Sequence, residues 1–132
     1  MMVTGAMKAL SWIGRLLAAG ILAQTLYFKF TGAPESVYIF SRLGVEPWGR
    51  IGTGVLELVS VILLLSPRTP ALGSVLACGL MAGAIMAHLT MLGISVQGDN
   101  GLLFKLALTT LLAALVVLVI NRRDLPLIGS RL

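Results

Sequence analysis

The chain has very few of the residues that carry the common chemistries of soluble enzymes. Its 132 residues include one cysteine and one histidine, and only 11% of them are charged. The single cysteine, Cys78, excludes an intrachain disulfide and a CxxC pair. The single histidine, His88, excludes a bis-histidine haem site and, with scattered carboxylates, falls short of the ligand set of a zinc site. With no P-loop, GxGxxG or Ser-His-Asp arrangement either, the sequence predicts no metal centre and no familiar hydrolase or nucleotide site.

The shortage of charge also excludes an ordinary soluble domain, because such domains are about a quarter charged. Here 58% of the residues are hydrophobic, and the mean hydropathy is +0.99. The ten basic residues outnumber the five acidic ones, but they lie at the ends of apolar runs, where they meet lipid headgroups. No basic stripe with interleaved aromatics is present, so nucleic acid is excluded and the bilayer is the predicted partner.

What the chain does contain is four long apolar runs. A membrane-spanning helix needs about 20 apolar residues, and the runs are predicted at about residues 10–30, 50–66, 71–92 and 102–121. Pro67 and Pro70 leave room only for a tight turn between the second and third runs, which makes those two antiparallel neighbours. The sequence therefore predicts an all-α fold, a single domain over residues 1–132 that forms an up-down-up-down four-helix transmembrane bundle.

The basic residues also predict an orientation. Lysine and arginine are enriched in cytoplasmic connections, and one side of the bundle has more of them than the other. That side carries Lys8, Arg15, Arg68, Arg122, Arg123 and Arg131, against Lys29, Arg42, Arg50 and Lys105 on the other. We therefore expect both termini in the cytoplasm, with the protein in a bacterial inner membrane, and Arg15 is expected to extend to the headgroups.

One carboxylate, Glu57, lies inside the second apolar run, where an ionisable residue is costly and marks a candidate functional site. By the helical rise it lies about 10 Å from the membrane surface at Arg50. His88 lies about 6 Å from the same surface at Leu92. A carboxylate and an imidazole at similar depth can pass protons, so both are candidate catalytic residues.

Further polar residues are predicted in the same half of the membrane as Glu57 and His88. The other half is predicted to be aliphatic apart from charges at the helix ends. The sequence predicts an outward-opening cavity lined by Gln24, Glu57 and His88, with Lys29 and Lys105 at its rim. The long connection after the first run and Asp99 are expected to cover it. The candidate ligand-binding residues are Gln24, Tyr27, Lys29, Lys105 and Thr109.

Structural alternatives stay open for these features. Glu57 is also explained as a hydrogen-bonding node that pairs with Lys29, Lys105 or Arg50, and the two lysines as anchors at the headgroups. Residues 36–43 are equally compatible with a short interfacial helix and with a loop. Small residues recur every four positions at Gly79, Gly83 and Ala87, a spacing typical of close helix packing.

Several short motifs together resemble the DoxX and DoxX-like family of small four-helix membrane proteins. They are Arg15 and Lys29 at the ends of the first run, Gly44 and Pro47, Gly54-Val-Leu-Glu57, Pro67-Arg-Thr-Pro-Ala71, Ala87-His88, and Gly98-Asp-Asn-Gly-Leu-Leu-Phe104. Where relatives commonly have a glycine one turn before the lysine, this chain has Thr25 and Leu26. The resemblance implies a four-helix bundle and, as in some relatives, an association with quinone-linked sulfur oxidation or oxidative-stress complexes.

Three functions compete at this point. The first is a quinone- or small-molecule-binding component of a membrane redox system, with a quinone as the expected ligand and a redox protein or a second copy as partner. The second is a non-catalytic accessory or assembly subunit whose polar groups seat a partner's helix. The third is a proton-coupled transporter of small molecules. The first fits the paired carboxylate and imidazole best, because quinone oxygens take up protons as electrons arrive.

Overall fold

The computed structural model describes residues 4–131, and within them the chain is all-helical. The helices are α1 (Gly5–Thr31), α2 (Pro34–Arg42), α3 (Trp48–Leu65), α4 (Pro70–Ala87) and α5 (Leu102–Asn121). One π-helical turn, His88–Leu92, extends α4, and two short 3₁₀ turns follow α5, at Arg122–Asp124 and Gly129–Arg131. Helices α1, α3, α4 with its π-turn, and α5 are long and apolar enough to cross a membrane. The predicted all-α transmembrane bundle is confirmed.

The helix ends follow from local sequence. The Thr4 hydroxyl caps α1 by accepting from the Met7 amide at 3.1 Å. Gly32 ends α1 with a left-handed φ of 67°, a conformation that glycine adopts without steric cost. Pro34 and Pro70 stand at the first turns of α2 and α4, where a missing amide hydrogen costs nothing.

The connection after α1 contains a helix, which decides between the two interpretations left open for it. Ser36 and Phe40 on α2 are buried, four residues apart on one face, while Tyr38 is exposed on the other. Arg50 ties this segment to the bundle: its guanidinium pairs with Glu46 at 2.9 Å and also donates to the Lys29 carbonyl at the end of α1. α2 therefore lies against one end of the bundle, which we call the α2 end.

The four spanning helices pack in a ring. α1 contacts α3 and α5, and α4 contacts the same two helices. The shared core is made of small and medium side chains, including Ala18, Leu22, Leu64, Ala77, Ala114 and Val117. Two glycines permit close approach: a Cβ on Gly14 would lie 2.9 Å from Val117, and one on Gly73 would lie 2.7 Å from the Leu64 backbone.

The end of the bundle away from α2 is held by polar contacts, which corrects two expectations. Arg15 does not extend to the headgroups but is 5% exposed, with Nε 2.5 Å from the Leu64 carbonyl and Nη2 2.9 Å from that of Ser66. It thereby satisfies carbonyls that the end of α3 leaves without helical partners. Nor is this half purely aliphatic, because Ser60 and Ser74 are fully buried and donate to backbone carbonyls of Gly73 and Ala71.

Candidate functional site

A cavity of about 790 Å³ occupies the α2 half of the bundle. All four spanning helices line it, together with α2 and Gln97 from the connection before α5. Its polar lining residues are Thr25, Lys29, Glu35, Ser36, Thr53, Glu57, His88 and Gln97. The wall farther from α2 is apolar and includes Leu22, Leu80, Met81, Leu106 and Ala107. The cavity therefore has a polar part beside α2 and an apolar part that extends toward the middle of the bundle.

Glu57 is the most deeply buried ionisable residue at this cavity, with 1% of its surface exposed. Its Oε1 is 2.8 Å from Lys29 Nζ, and its Oε2 accepts from the Thr25 hydroxyl at 2.6 Å. Thr25 Oγ1 is also 3.0 Å from the Leu22 carbonyl, but a hydroxyl has one hydrogen, and the shorter bond to a charged acceptor is the stronger. Both carboxylate oxygens are thus satisfied by α1.

The geometry of α1 explains why Lys29 and Thr25 act together. They are four residues apart, one helical turn, so both face α3. Lys29 keeps two N–H donors beyond the one that it gives to Glu57, and its side chain is more exposed, at 16% against 2% for that of Glu57. A ligand in the cavity can therefore accept a hydrogen bond from Lys29 without displacing the ion pair.

His88 begins the π-helical turn at the end of α4 and is 5% exposed. Its Nδ1 is 2.9 Å from the Gly93 carbonyl, and its ring meets Phe104 edge-on with centroids 5.6 Å apart. Because a carbonyl only accepts, Nδ1 must carry the hydrogen. Nε2, which has no hydrogen-bond partner among residues 4–131, is then an acceptor in neutral histidine and a donor in the cation.

Asp99 fixes the connection that brings Gln97 to the cavity. Its carboxylate accepts from the backbone amides of Val96, Gly101 and Leu103 at 3.0, 2.8 and 3.2 Å. Burial by itself raises the pKa of the Asp99 carboxyl, but the three amide donors and the charge of His88 outweigh burial and hold that pKa below its ordinary value. The carboxylate also caps the start of α5, whose first amides otherwise have no partner.

The structure brings only part of the predicted site together. Glu57 and His88 line the cavity, as predicted. Lys29, which was predicted at the rim, also lines it, and of the three possible partners of Glu57 it is the one that pairs with it. Four other candidates are exposed and do not line it: Gln24, Tyr27, Lys105 and Thr109. The predicted cavity lining by Gln24 and the rim position of Lys105 are therefore wrong. Ligand binding by these four residues stays a prediction, and all four lie outside the lining of this cavity.

Helical periodicity gives the reason for this division. At about 100° per residue, Gln24 and Tyr27 lie on the side of α1 opposite Leu22, Thr25 and Lys29. Lys105 and Thr109 likewise lie opposite Ala107 on α5, and the Thr109 hydroxyl bonds back to the Lys105 carbonyl at 2.8 Å. Depth alone placed these residues in one half of the membrane, but it did not fix the direction in which they face.

Sequence reasoning also missed residues that the cavity uses. Thr25 carried a signal, since it lies one turn before Lys29 on the same face, whereas Gln97 carried none. Gly79 and Gly83 of α4 also line the cavity, and a Cβ on either would meet no atom within 4 Å. No other helix of the described chain packs against them at that distance, so their predicted packing role stays a prediction.

The four apolar spans and the half-polar cavity between them define a small integral membrane protein built as a helical bundle. The sequence model of the DoxX-like family matches residues 13–120. The chain belongs to the DoxX-like family, as its motifs indicated. Searches of curated proteins and of solved structures gave no match.

Proposed function

We propose that this protein binds a quinone or a similar lipid-soluble small molecule in the cavity, as a component of a membrane redox system. The observation that carries the proposal is the convergence of the Lys29–Glu57 pair and of His88 on one cavity whose remaining wall is largely apolar. An apolar pocket with a few convergent polar groups is the usual form of a small-molecule site. The volume of about 790 Å³ lies within the common range for such pockets, roughly 300–1,000 Å³.

The polar groups suit a ligand with two oxygens that exchange protons. A bound quinone would supply the redox chemistry, taking two electrons from a partner of the redox system and two protons to become a quinol. Lys29 Nζ can donate to one oxygen. His88 Nε2 donates when the ring is charged and accepts when it is neutral. Glu57 holds the charge of Lys29 in place. Of the two candidate catalytic residues, His88 can give up a proton when its ring is charged, and Glu57, as a carboxylate, can take one up.

The proposal is tested by ligand binding to the purified protein. Native mass spectrometry of gently extracted protein detects a retained quinone, and titration with a decyl-substituted benzoquinone measures its affinity. His88→Ala removes a hydrogen bond to the ligand, and Glu57→Gln removes the counter-ion that holds Lys29 in position to donate one. We expect each to weaken binding by roughly 10- to 100-fold, the range for hydrogen bonds that involve a charged group. Lys105→Gln removes a charge outside the cavity and should leave the affinity unchanged. Unchanged binding in both cavity variants would refute the proposal.

A folding control is needed because Glu57→Gln leaves Lys29 without its counter-ion. The double variant Lys29→Gln/Glu57→Gln removes both charges and restores a neutral pair, so it separates a loss of binding from a loss of fold. If the parent protein carries no small molecule but co-purifies with one polypeptide, it is an accessory subunit instead. Proton-driven flux in liposomes that Glu57→Gln abolishes would make it a transporter.

We also propose that the protein lies in a bacterial inner membrane with the α2 end facing away from the cytoplasm. The excess of lysine and arginine at the opposite end supports this orientation. The four spans return the chain to its starting side, so the start of α1 and the end of α5 lie together. The ligand's polar groups would then meet the extracytoplasmic half of the bilayer.

A further inference from the structure

Gly79 and Gly83 on α4 are unusual because they line the cavity and are also exposed at the surface of the bundle. Gly73 on the same helix differs, because a Cβ there would lie 2.7 Å from the backbone of α3. A Cβ at Gly79 or Gly83 would meet no atom within 4 Å. α4 is thus in close contact with α3 near Gly73, whereas the space beside Gly79 and Gly83 is open.

The position of this open space along the helix places it within the bilayer. Gly79 is nine residues before His88, which corresponds to about 13 Å at the helical rise. It is the tenth residue of the 23-residue span Pro70–Leu92, close to the middle of the membrane. An opening at that depth meets hydrocarbon chains and not water or headgroups.

A second observation connects the opening with a ligand. His88, on the same helix, is buried and lines the same cavity, and its Nε2 has no partner in the described part of the chain. His88 thus brings to the cavity wall a ring nitrogen that a ligand can bind, as a donor or as an acceptor. The cavity therefore offers a polar group beside α2 and an apolar exit about one and a half to two and a half helical turns deeper.

We propose that Gly79 and Gly83 form a lateral portal through which an apolar chain of the bound ligand passes into the bilayer. This rests on the proposed function and assigns the ligand's class: a polar head held at Lys29 and His88, joined to one slender apolar chain. The absence of side chains at the two glycines keeps the portal open. Both a quinone tail and the chain of a simple lipid share this chemistry, so the test must separate them.

Equilibrium affinities of chain-bearing and chainless ligands test the portal. Gly79→Leu and Gly83→Leu should each weaken binding of the decyl-substituted benzoquinone by at least about tenfold, since every methylene kept from its apolar site costs about fourfold in affinity. The affinity for the same quinone without its chain should not change. Gly20→Leu is the matched control, because Gly20 is an exposed helical glycine with no atom near its Cβ position and lies outside the cavity lining.

The outcomes separate this inference from the function on which it rests. If the parent binds neither quinone, the proposed function fails. If the parent binds the decyl quinone and both leucine variants bind it equally well, the portal is refuted while the function stands. If decanol competes as well as the decyl quinone, the portal stands and the occupant is a lipid. If either leucine variant instead converts a dimer to a monomer by native mass spectrometry, the glycines form a contact between copies and the portal is refuted.

Leucine at these positions adds bulk, so the folded state is checked by thermal unfolding. Should a leucine variant lose its fold, Gly79→Ala/Gly83→Ala adds only two methyl groups where the structure has open space. That variant should weaken binding of the decyl quinone by a smaller factor, still without effect on the chainless quinone. Equal affinity of parent and alanine variant for both ligands would refute the portal.

Discussion

At the scale of single residues, the buried carboxylate of Glu57 needs partners because the bundle around it is largely apolar. Glu57 has an ion pair with Lys29 at 2.8 Å and a hydrogen bond from Thr25 at 2.6 Å. Taking a charge out of water costs several kcal/mol unless its partners satisfy it. Thr25 is one of those partners, because its hydroxyl donates to Oε2.

We therefore expect Thr25→Val to destabilise the protein by about 1.5–3 kcal/mol, the range for hydrogen bonds to charged groups. Valine has almost the shape of threonine but donates nothing to Glu57. Thr109→Val is the matched control, because the Thr109 hydroxyl bonds only the carbonyl one turn back on its own exposed face, and its loss should change stability by less than about 0.5 kcal/mol. Thermal unfolding in detergent measures both, and equal stability of the two variants would contradict this account of Thr25.

At the scale of elements, the connection between α4 and α5 is built around one carboxylate. Asp99 accepts three backbone hydrogen bonds, and Gln97 and Asn100 beside it have positive φ values of 52° and 57°. Few non-glycine residues adopt such angles. The three hydrogen bonds to Asp99 are therefore needed to hold Gln97 and Asn100 in this conformation. The connection in turn fixes Val96, which is 1% exposed, and carries Gln97 to the cavity.

Because the pKa of Asp99 is lower in the folded protein than the ordinary value of 3.8, its contribution to stability depends on pH. The contribution is complete above that ordinary value, which applies to the unfolded chain, and it is lost as pH falls through the lower folded pKa. Asp99→Ala should cost about 1–2 kcal/mol at pH 7, as for other helix caps, and the difference from the parent should shrink below about pH 4. Unfolding at several pH values measures it, with the exposed Asp124→Ala as control. A pH-independent difference would contradict the account.

At the scale of the whole molecule, the bundle has two differently constructed ends. At one end, Arg15 binds the last carbonyls of α3, and Asn121 on α5 donates to Ser11 on α1 at 2.9 Å. At the other end, α2 and the connection before α5 cover the cavity. Contacts within the chain thus close the first end, while the second holds the cavity.

The orientation of these ends predicts a labelling pattern. In a Cys78→Ala background, Ser95→Cys places one thiol at the α2 end and Ser130→Cys places one at the opposite end; both serines are exposed. A membrane-impermeant maleimide added to intact spheroplasts should label the Ser95→Cys protein and spare the Ser130→Cys protein until the membrane is permeabilised. The reverse pattern would show that the α2 end faces the cytoplasm.

The sequence alone determined the architecture and identified two of the polar residues that line the cavity, Glu57 and His88. Spans follow from the length and hydropathy of local runs, which do not depend on tertiary contacts. Glu57 was visible because a carboxylate is rare within an apolar run, and His88 because it is the only histidine. The short helix α2 was one of two interpretations of this segment, because a short segment with turn signals on both sides is compatible with a helix and with a loop.

Only the tertiary structure decided which face of each helix turns inward. In a soluble bundle the apolar face marks the core, but in lipid both faces are apolar and helix packing has no such guide. The spacing of Gln24 and Tyr27 is compatible with one face of α1, but it does not tell that Thr25 and Lys29 are the residues that face Glu57. For the same reason Gly79 and Gly83 were predicted to form a packing surface. Their spacing is a property of the sequence, whereas the open space beside them depends on how α3 and α4 are placed in the bundle.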